Sequence, residues 1–411
     1  MDFFFLFSVL ITLAAIISYI NVRLFKLPAG IMLMLMGTLI AVILIIAGNI
    51  SDAFTETIKQ SLSMLNFSEF LLGILLSFLL FAGSLHINYK ALKYYGKIIF
   101  TFATMGTLLS TFLMGTAVYY LLQLFQIHVS FIWCLLFGAL ISPTDPVAVL
   151  SIIRKTNIPK SVEIKITGES LFNDGIGVVI FATILEASSK GIDNLHLSSV
   201  LNLFLREAVG GVIAGLLIGY TGYKMMKSIN HFQTEILITL AMVMGGYSLC
   251  HYLHVSGPLA MVVAGIFTGN KAKKEAMSDT TRDYIEKFWE VTDEVLNAVL
   301  FILIGLQLVV VRFSLTAFIL GIISALLLVI VRFISLWLPS KLFRFKNKME
   351  NKTIEIMTWG GLRGGISIAL ALSLPNDDYK NIFVGITFTV VLFSILVQGF
   401  TIERFIKFVR K

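Results

Sequence analysis

Asp174 and Ser170 lie four residues apart in Gly168-Glu169-Ser170-Leu171-Phe172-Asn173-Asp174-Gly175, inside a stretch that otherwise reads as an apolar helix. At that spacing the two side chains share one helix face, so a hydroxyl and a carboxylate offer oxygen ligands to a hard cation. Glu169 is five residues from Asp174, about 140° around the helix, and points to a different neighbour. A carboxylate at mid-membrane costs roughly 2.5–3.5 kcal/mol on insertion scales, which marks Asp174 as a group kept for the passage of ions or protons. Upstream, Pro143-Thr144-Asp145-Pro146 sets a second acid between two prolines. Proline removes a backbone donor and disfavours helix in the residue before it, so this segment is expected to be unwound. Freed carbonyls at membrane depth are tolerated where they line a cavity, and there they can ligate a cation. Thr144 and Asp145 therefore join Asp174 and Ser170 as candidates for ion and proton binding. The plainer alternatives are that Asp174 only ties helices together through a basic partner, and that the proline break only shapes packing.

The elements that carry these residues are membrane helices. The chain is 57% hydrophobic and only 14% charged, with a mean hydropathy of +0.90, values that no soluble domain of this length shows. Apolar stretches of about 20 residues recur from end to end, which implies α-helical spans rather than barrel strands. The opening stretch follows Asp2 rather than a basic region, and no small-x-small cleavage site comes after it, so it is expected to be a retained first span. The net charge of +8 would suggest nucleic acid in a soluble protein. Here the positive-inside rule accounts for it, and no nucleic-acid partner is expected. Cys134 and Cys250 both fall in apolar stretches and fit neither a metal site nor a disulfide framework. With no phosphate loop, metal cluster or catalytic triad, neither an enzyme nor a bound cofactor is expected.

Thirteen spans are expected, at roughly 3–21, 29–48, 67–86, 98–124, 131–152, 164–187, 201–223, 233–253, 257–270, 289–311, 314–338, 353–374 and 382–404. Assigning alternate loops to one side gathers nearly all Lys and Arg there. The other side receives only Lys59, Lys190, Arg206, Arg312 and Lys380, so the N-terminus should face out and the C-terminus in. Two spans are interrupted, one by Ser142-Pro143-Thr144-Asp145-Pro146 and one by Gly360-Gly361-Leu362-Arg363-Gly364-Gly365. Each is the middle member of a three-span group, and the odd offset between them makes them cross in opposite directions. That is the pattern of inverted repeats with paired discontinuous helices in secondary transporters. Arg363 needs a counterion at that depth, and Glu169 or Asp145 could supply it. Arg332 reads as a side chain snorkelling from near a helix end, and Asp293 and Glu294 as solvated residues at a helix start. The six histidines lie at loops or span ends.

These motifs resemble the monovalent cation:proton antiporters, in the branch that holds bacterial and archaeal sodium/proton antiporters and animal sodium/hydrogen exchangers. Ser142 to Val149 is similar to the family's unwound helix, Gly168 to Gly175 to its ion-binding helix, and Gly360 to Gly365 to its second broken helix. The resemblance spans nearly the whole chain. It implies an all-α fold of thirteen helices and a homodimer in the cell membrane. It also implies a six-helix transport bundle (98–187 and 314–404) beside scaffold helices (1–86 and 201–311). By matching position, Asp174 is the carboxylate that exchanges cation for proton, Ser170 and Thr144 help ligate the transported Na+, and Asp145 lies beside it. Glu169 would pair with Arg363. Asn173 stands where electrogenic relatives carry a second aspartate, which implies one-for-one exchange. Ala82 departs from the family, because relatives often carry glutamate there, and any ligand from that helix is missing.

The expected activity is exchange of Na+ for H+, with Li+ or K+ as further candidate ions. Asp174 binds a proton or a metal ion and never both, and the site alternates between the two sides of the bilayer. A potassium/proton antiporter is the nearest alternative. A passive cation channel is the rival class, since a proton gradient drives uphill Na+ movement through an antiporter and not through a channel.

Overall fold

The computed structural model describes residues 3–48, 67–153, 156, 158–189, 197–311, 314–345, 349–375 and 379–410. Lys59, Arg154, Lys155, Lys190, His196, Arg312, Lys346 and Lys348 lie outside the described residues. The described residues form helices and no strand. Ten of the helices are long and apolar enough to cross a membrane. In lipid every backbone N–H and C=O must be satisfied internally, and a helix does this within a single segment. The other expected spans correspond to shorter helices: Phe131–Ile141 followed by Val147–Ile153, Gly257–Phe267, and Asn351–Trp359 followed by Gly365–Leu372.

Several helices run beyond the expected spans. The 164–187 stretch is part of Lys160–Ser189, and all of 314–338 but its first residue is part of Leu315–Leu342. Hydropathy marks only the part that suits the hydrocarbon core, whereas the helix continues until a cap stops it. Asn88 caps the Tyr89–Leu124 run by accepting from the N–H groups of Lys90 and Ala91. Ser278 and Ser314 cap Asp279–Leu306 and Leu315–Leu342 in the same way, accepting from Thr281 and Ala317.

The Lys160–Ser189 helix is central. It packs against Phe131–Ile141, Tyr89–Thr101, Leu197–Lys227 and Gly257–Phe267. Ala29–Gly48 packs along Asp279–Leu306, and Leu76–Leu85 along Gly257–Phe267. Trp289 is fully buried beside the Phe81 ring at 4.8 Å, and its indole N–H donates to Thr239 Oγ1 at 3.0 Å. Ala82 lies in the same apolar cluster, 1% exposed, and brings no oxygen there.

Both broken segments are non-helical, and they cross. The Asp145 N–H donates to the Leu362 carbonyl at 2.8 Å, so each break supplies a backbone partner the other has lost. Two glycines permit the approach. A Cβ on Gly364 would sit 2.5 Å from Asp145 Oδ2, and one on Gly177 would sit 2.4 Å from Pro143 Cγ. The second break is also held by a π-helical turn, Ser394–Gln398. Ser394 Oγ accepts from the Arg363 N–H at 2.9 Å and donates to Gln398 Oε1, while Gln398 Nε2 donates to the Trp359 carbonyl. Such turns interrupt the regular ladder and free side chains for work of this kind.

Candidate ion-binding site

Where the breaks cross, the Lys160–Ser189 helix presents Glu169, Ser170, Asn173 and Asp174, all buried. Thr144 of the first break is buried against them. Ser170 Oγ donates to the Thr144 carbonyl and lies 3.4 Å from Thr144 Oγ1. Asn173 uses its whole amide. Its Nδ2 donates to Thr144 Oγ1 and to Glu169 Oε1, both at 2.8 Å, and its Oδ1 accepts from the Thr144 N–H at 3.3 Å. Only a carboxamide can both donate and accept in this way, so Asn173 clamps the unwound backbone to the helix while remaining neutral.

Asp174 stands one turn beyond Ser170 and is 8% exposed. Its Oδ1 is buried and has no hydrogen-bond partner among the described residues. A buried acceptor left without a partner is expensive, and a bound proton or cation would satisfy it. One turn back, Ser170 brings a hydroxyl, and Thr144 brings a hydroxyl and the carbonyl that accepts from Ser170 Oγ. These are hard oxygen donors of the kind that suit Na+ and not a soft metal. Asp145 is half-buried, with its carboxylate against Gly364. Of the residues singled out from the sequence, Thr144, Glu169, Ser170 and Asn173 thus meet in one hydrogen-bonded group, with Asp174 adjoining it.

The structure corrects one pairing. Glu169 is bound by Arg332 and not by Arg363. The Arg332 guanidinium reaches Glu169 as a fork, Nη1 to Oε1 at 2.9 Å and Nη2 to Oε2 at 2.7 Å, with both side chains buried. Arg363 instead donates through Nε to the Ile141 carbonyl at 2.6 Å and through Nη1 to the Gly361 carbonyl at 2.5 Å. The cause is the crossing of the breaks. It lays Arg363 along the carbonyl end of Phe131–Ile141, where the partial negative charge of a helix C-terminus favours a cation.

Reading Arg332 as a snorkelling residue fails for a related reason. Its helix continues to Leu342, ten residues and about 15 Å further on, so the side chain cannot reach the interface at that end. The signal was present in the sequence. Arg332 and Lys341 are the only charged residues between Leu315 and Leu342, and only Lys341 lies in the last turn. Asp293 also differs from its reading as a solvated residue. Glu294 is exposed as expected, but Asp293 is half-buried. The described histidines are exposed, in keeping with their placement at span ends.

This geometry can be set beside known proteins. The family described as "Sodium/hydrogen exchanger, transmembrane" matches residues 9–408. The chain is 43% identical over 406 residues to the Na(+)/H(+) antiporter NhaP of Pseudomonas aeruginosa, covering 97% of this chain and 95% of that protein. It is 33% identical over 405 residues to the Na(+)/H(+) antiporter NhaH of Halobacillus dabanensis, covering 97% and 96%. Its fold is like that of the sodium proton antiporter MjNhaP1 from Methanocaldococcus jannaschii at pH 8, with a TM-score of 0.78, 20% identity, and coverage of 97% and 96%. With a family match over nearly its whole length and relatives aligned end to end, the chain belongs to the sodium/hydrogen exchanger family.

Proposed function

We propose that the protein is a secondary active antiporter that exchanges Na+ for H+ across a membrane, with Asp174 as the shared binding group. The observation that carries this reading is the buried Asp174 Oδ1 without a partner, one turn from a hydroxyl that touches an unwound carbonyl. In the proton-loaded form the carboxyl group is neutral. In the sodium-loaded form the carboxylate, Ser170 Oγ and the oxygens of Thr144 replace part of the ion's water shell, and the Ser170–Thr144 hydrogen bond gives way to two ion contacts. The two loads compete for one oxygen pair, so each is released when the other arrives. Asn173 is a carboxamide and carries no charge, so it adds no second titrating group beside Asp174, which supports a one-for-one exchange. Sodium is favoured over potassium by the relatives, which are named as sodium/proton antiporters.

Residues 98–187 and 314–404 form the moving bundle in this reading, against scaffold helices in 1–86 and 201–311. The protein sits in the cell membrane as a homodimer, with the N-terminus outside and the C-terminus inside. The test is dequenching of a pH dye in proteoliposomes given Na+, Li+ and K+ in turn. Proton flux on addition of Na+ is expected for the native chain and absent for Asp174→Asn. Flux that survives this substitution would remove Asp174 from the centre of the mechanism.

A further inference from the structure

The Asp279–Leu306 helix carries a stripe that runs from exposed surface to the crossing of the two breaks. Glu290, Asp293, Asn297, Leu300 and Ile304 recur at intervals of three and four and share one face. Burial deepens along it. Glu290 is exposed, Asp293 half-buried, Asn297 8% exposed and Ile304 fully buried. Contacts place the deep end, since a Cβ on Gly365 would lie 2.6 Å from Leu300 Cδ1 and 3.1 Å from Ile304 Cδ1. The next residue back, Gly364, is the one against the Asp145 carboxylate.

Toward the Asp279 end, Asn297 lies one turn from Asp293 on the shared face, and the negative charge of Asp145 bears on the Asp293 carboxylate. Asp174 feels the charge of Asp145 in turn, and its Oδ1 is the buried oxygen without a partner. Among the described residues no basic side chain forms an ion pair with Asp293. Asp145 thus repels the carboxylates on both sides of it, and a cation between Asp145 and either one reverses the sign. The exchange scheme uses neither Asp293 nor Asn297.

We propose that Asp293, backed by Asn297, is a second cation-contacting station on the path between the Asp279 end of this helix and the Asp174 site. Sodium loses part of its water there against one carboxylate and one amide oxygen before it reaches Asp145 and Asp174. The station serves one side of the membrane, because the stripe opens to one side of the crossing. This inference rests on Asp174 being the exchange site.

The test is sodium-dependent proton flux at constant ionic strength, with Na+ supplied to each face of vesicles of known orientation. Asp293→Asn is expected to raise the apparent KM for Na+ about fivefold on one face, equivalent to about 1 kcal/mol, with the maximal rate kept and KM on the other face within twofold. Asp293→Glu should restore KM to within twofold. Asn297→Ala, which keeps the acid, should raise KM on the same face about twofold. An unchanged KM, an equal rise on both faces, or a Glu variant as impaired as the Asn variant would overturn the proposal. Failure of Asp174→Asn to stop exchange sinks the central site instead, so the two results separate.

Discussion

Arg332 and Glu169 offer the most direct test of the site's architecture. The pair is buried on both sides and joined by two charge-assisted bonds of 2.7 and 2.9 Å. Glu169 Oε1 also accepts from Asn173, which holds Thr144, so the pair anchors the clamp on the unwound segment. Removing one partner leaves a buried charge without its counterion, a loss of about 3–5 kcal/mol. Glu169→Gln loses the charge and turns one donor toward a guanidinium that can only donate. Arg332→Gln strands the carboxylate. Each single variant should therefore fall by several degrees in apparent melting temperature, read by scanning fluorimetry in detergent at a fixed scan rate. The double variant should lose much less than the sum, with a coupling on the order of 2–3 kcal/mol. The same cycle run with Arg363→Gln should give a smaller coupling to Glu169, because Arg363 bonds to the carbonyls of Ile141 and Gly361. Additive effects for Glu169 and Arg332, or a larger coupling with Arg363, would refute the pairing.

Other expectations concern the site itself. Asp174→Asn should abolish sodium-dependent proton flux while the melting temperature stays within a few degrees of the native value, since Asp174 Oδ1 bonds to none of the described residues. Asn173→Asp should destabilise by about 2–4 kcal/mol, because it deletes two donors and sets a carboxylate against Glu169 Oε1, where Asn173 Nδ2 now lies 2.8 Å away. Thermal unfolding reads the loss, and a membrane-potential dye reads any gained charge movement. Gly364→Ala should cut flux at least tenfold with little loss of expression, since its Cβ would meet the Asp145 carboxylate at 2.5 Å. Native flux would show that the crossing tolerates a wider gap than the contact allows.

The parts legible from sequence alone are those governed by local chemistry. Hydropathy over about 20 residues exposes a membrane helix wherever it lies, because lipid imposes the same demand on every span. Pro143, Pro146 and the glycines of 360–365 announce their breaks, since each acts on its own backbone. Asp174 and Ser170 share a face by helical arithmetic alone. Helix ends were less legible, because Asn88, Ser278 and Ser314 stop helices in polar stretches that hydropathy discards.

Partner choice between distant segments was settled only by the tertiary structure. Glu169 had two basic residues within reach of a plausible fold. Which one it binds depends on where the breaks cross and how far Leu315–Leu342 extends, and neither is written in the residues near Glu169. Asn173 could be named as neutral from its type. Its role as a three-bond clamp on Thr144 and Glu169 needed the two segments placed side by side. Asp293 shows the same divide. Its sequence neighbours make it the start of a helix, while its relation to Asp145 arises from packing across more than a hundred residues of chain. Charge, hydropathy and backbone stiffness belong to single residues and survive in the sequence. A hydrogen bond or an ion pair belongs to two, and only the folded chain decides which two.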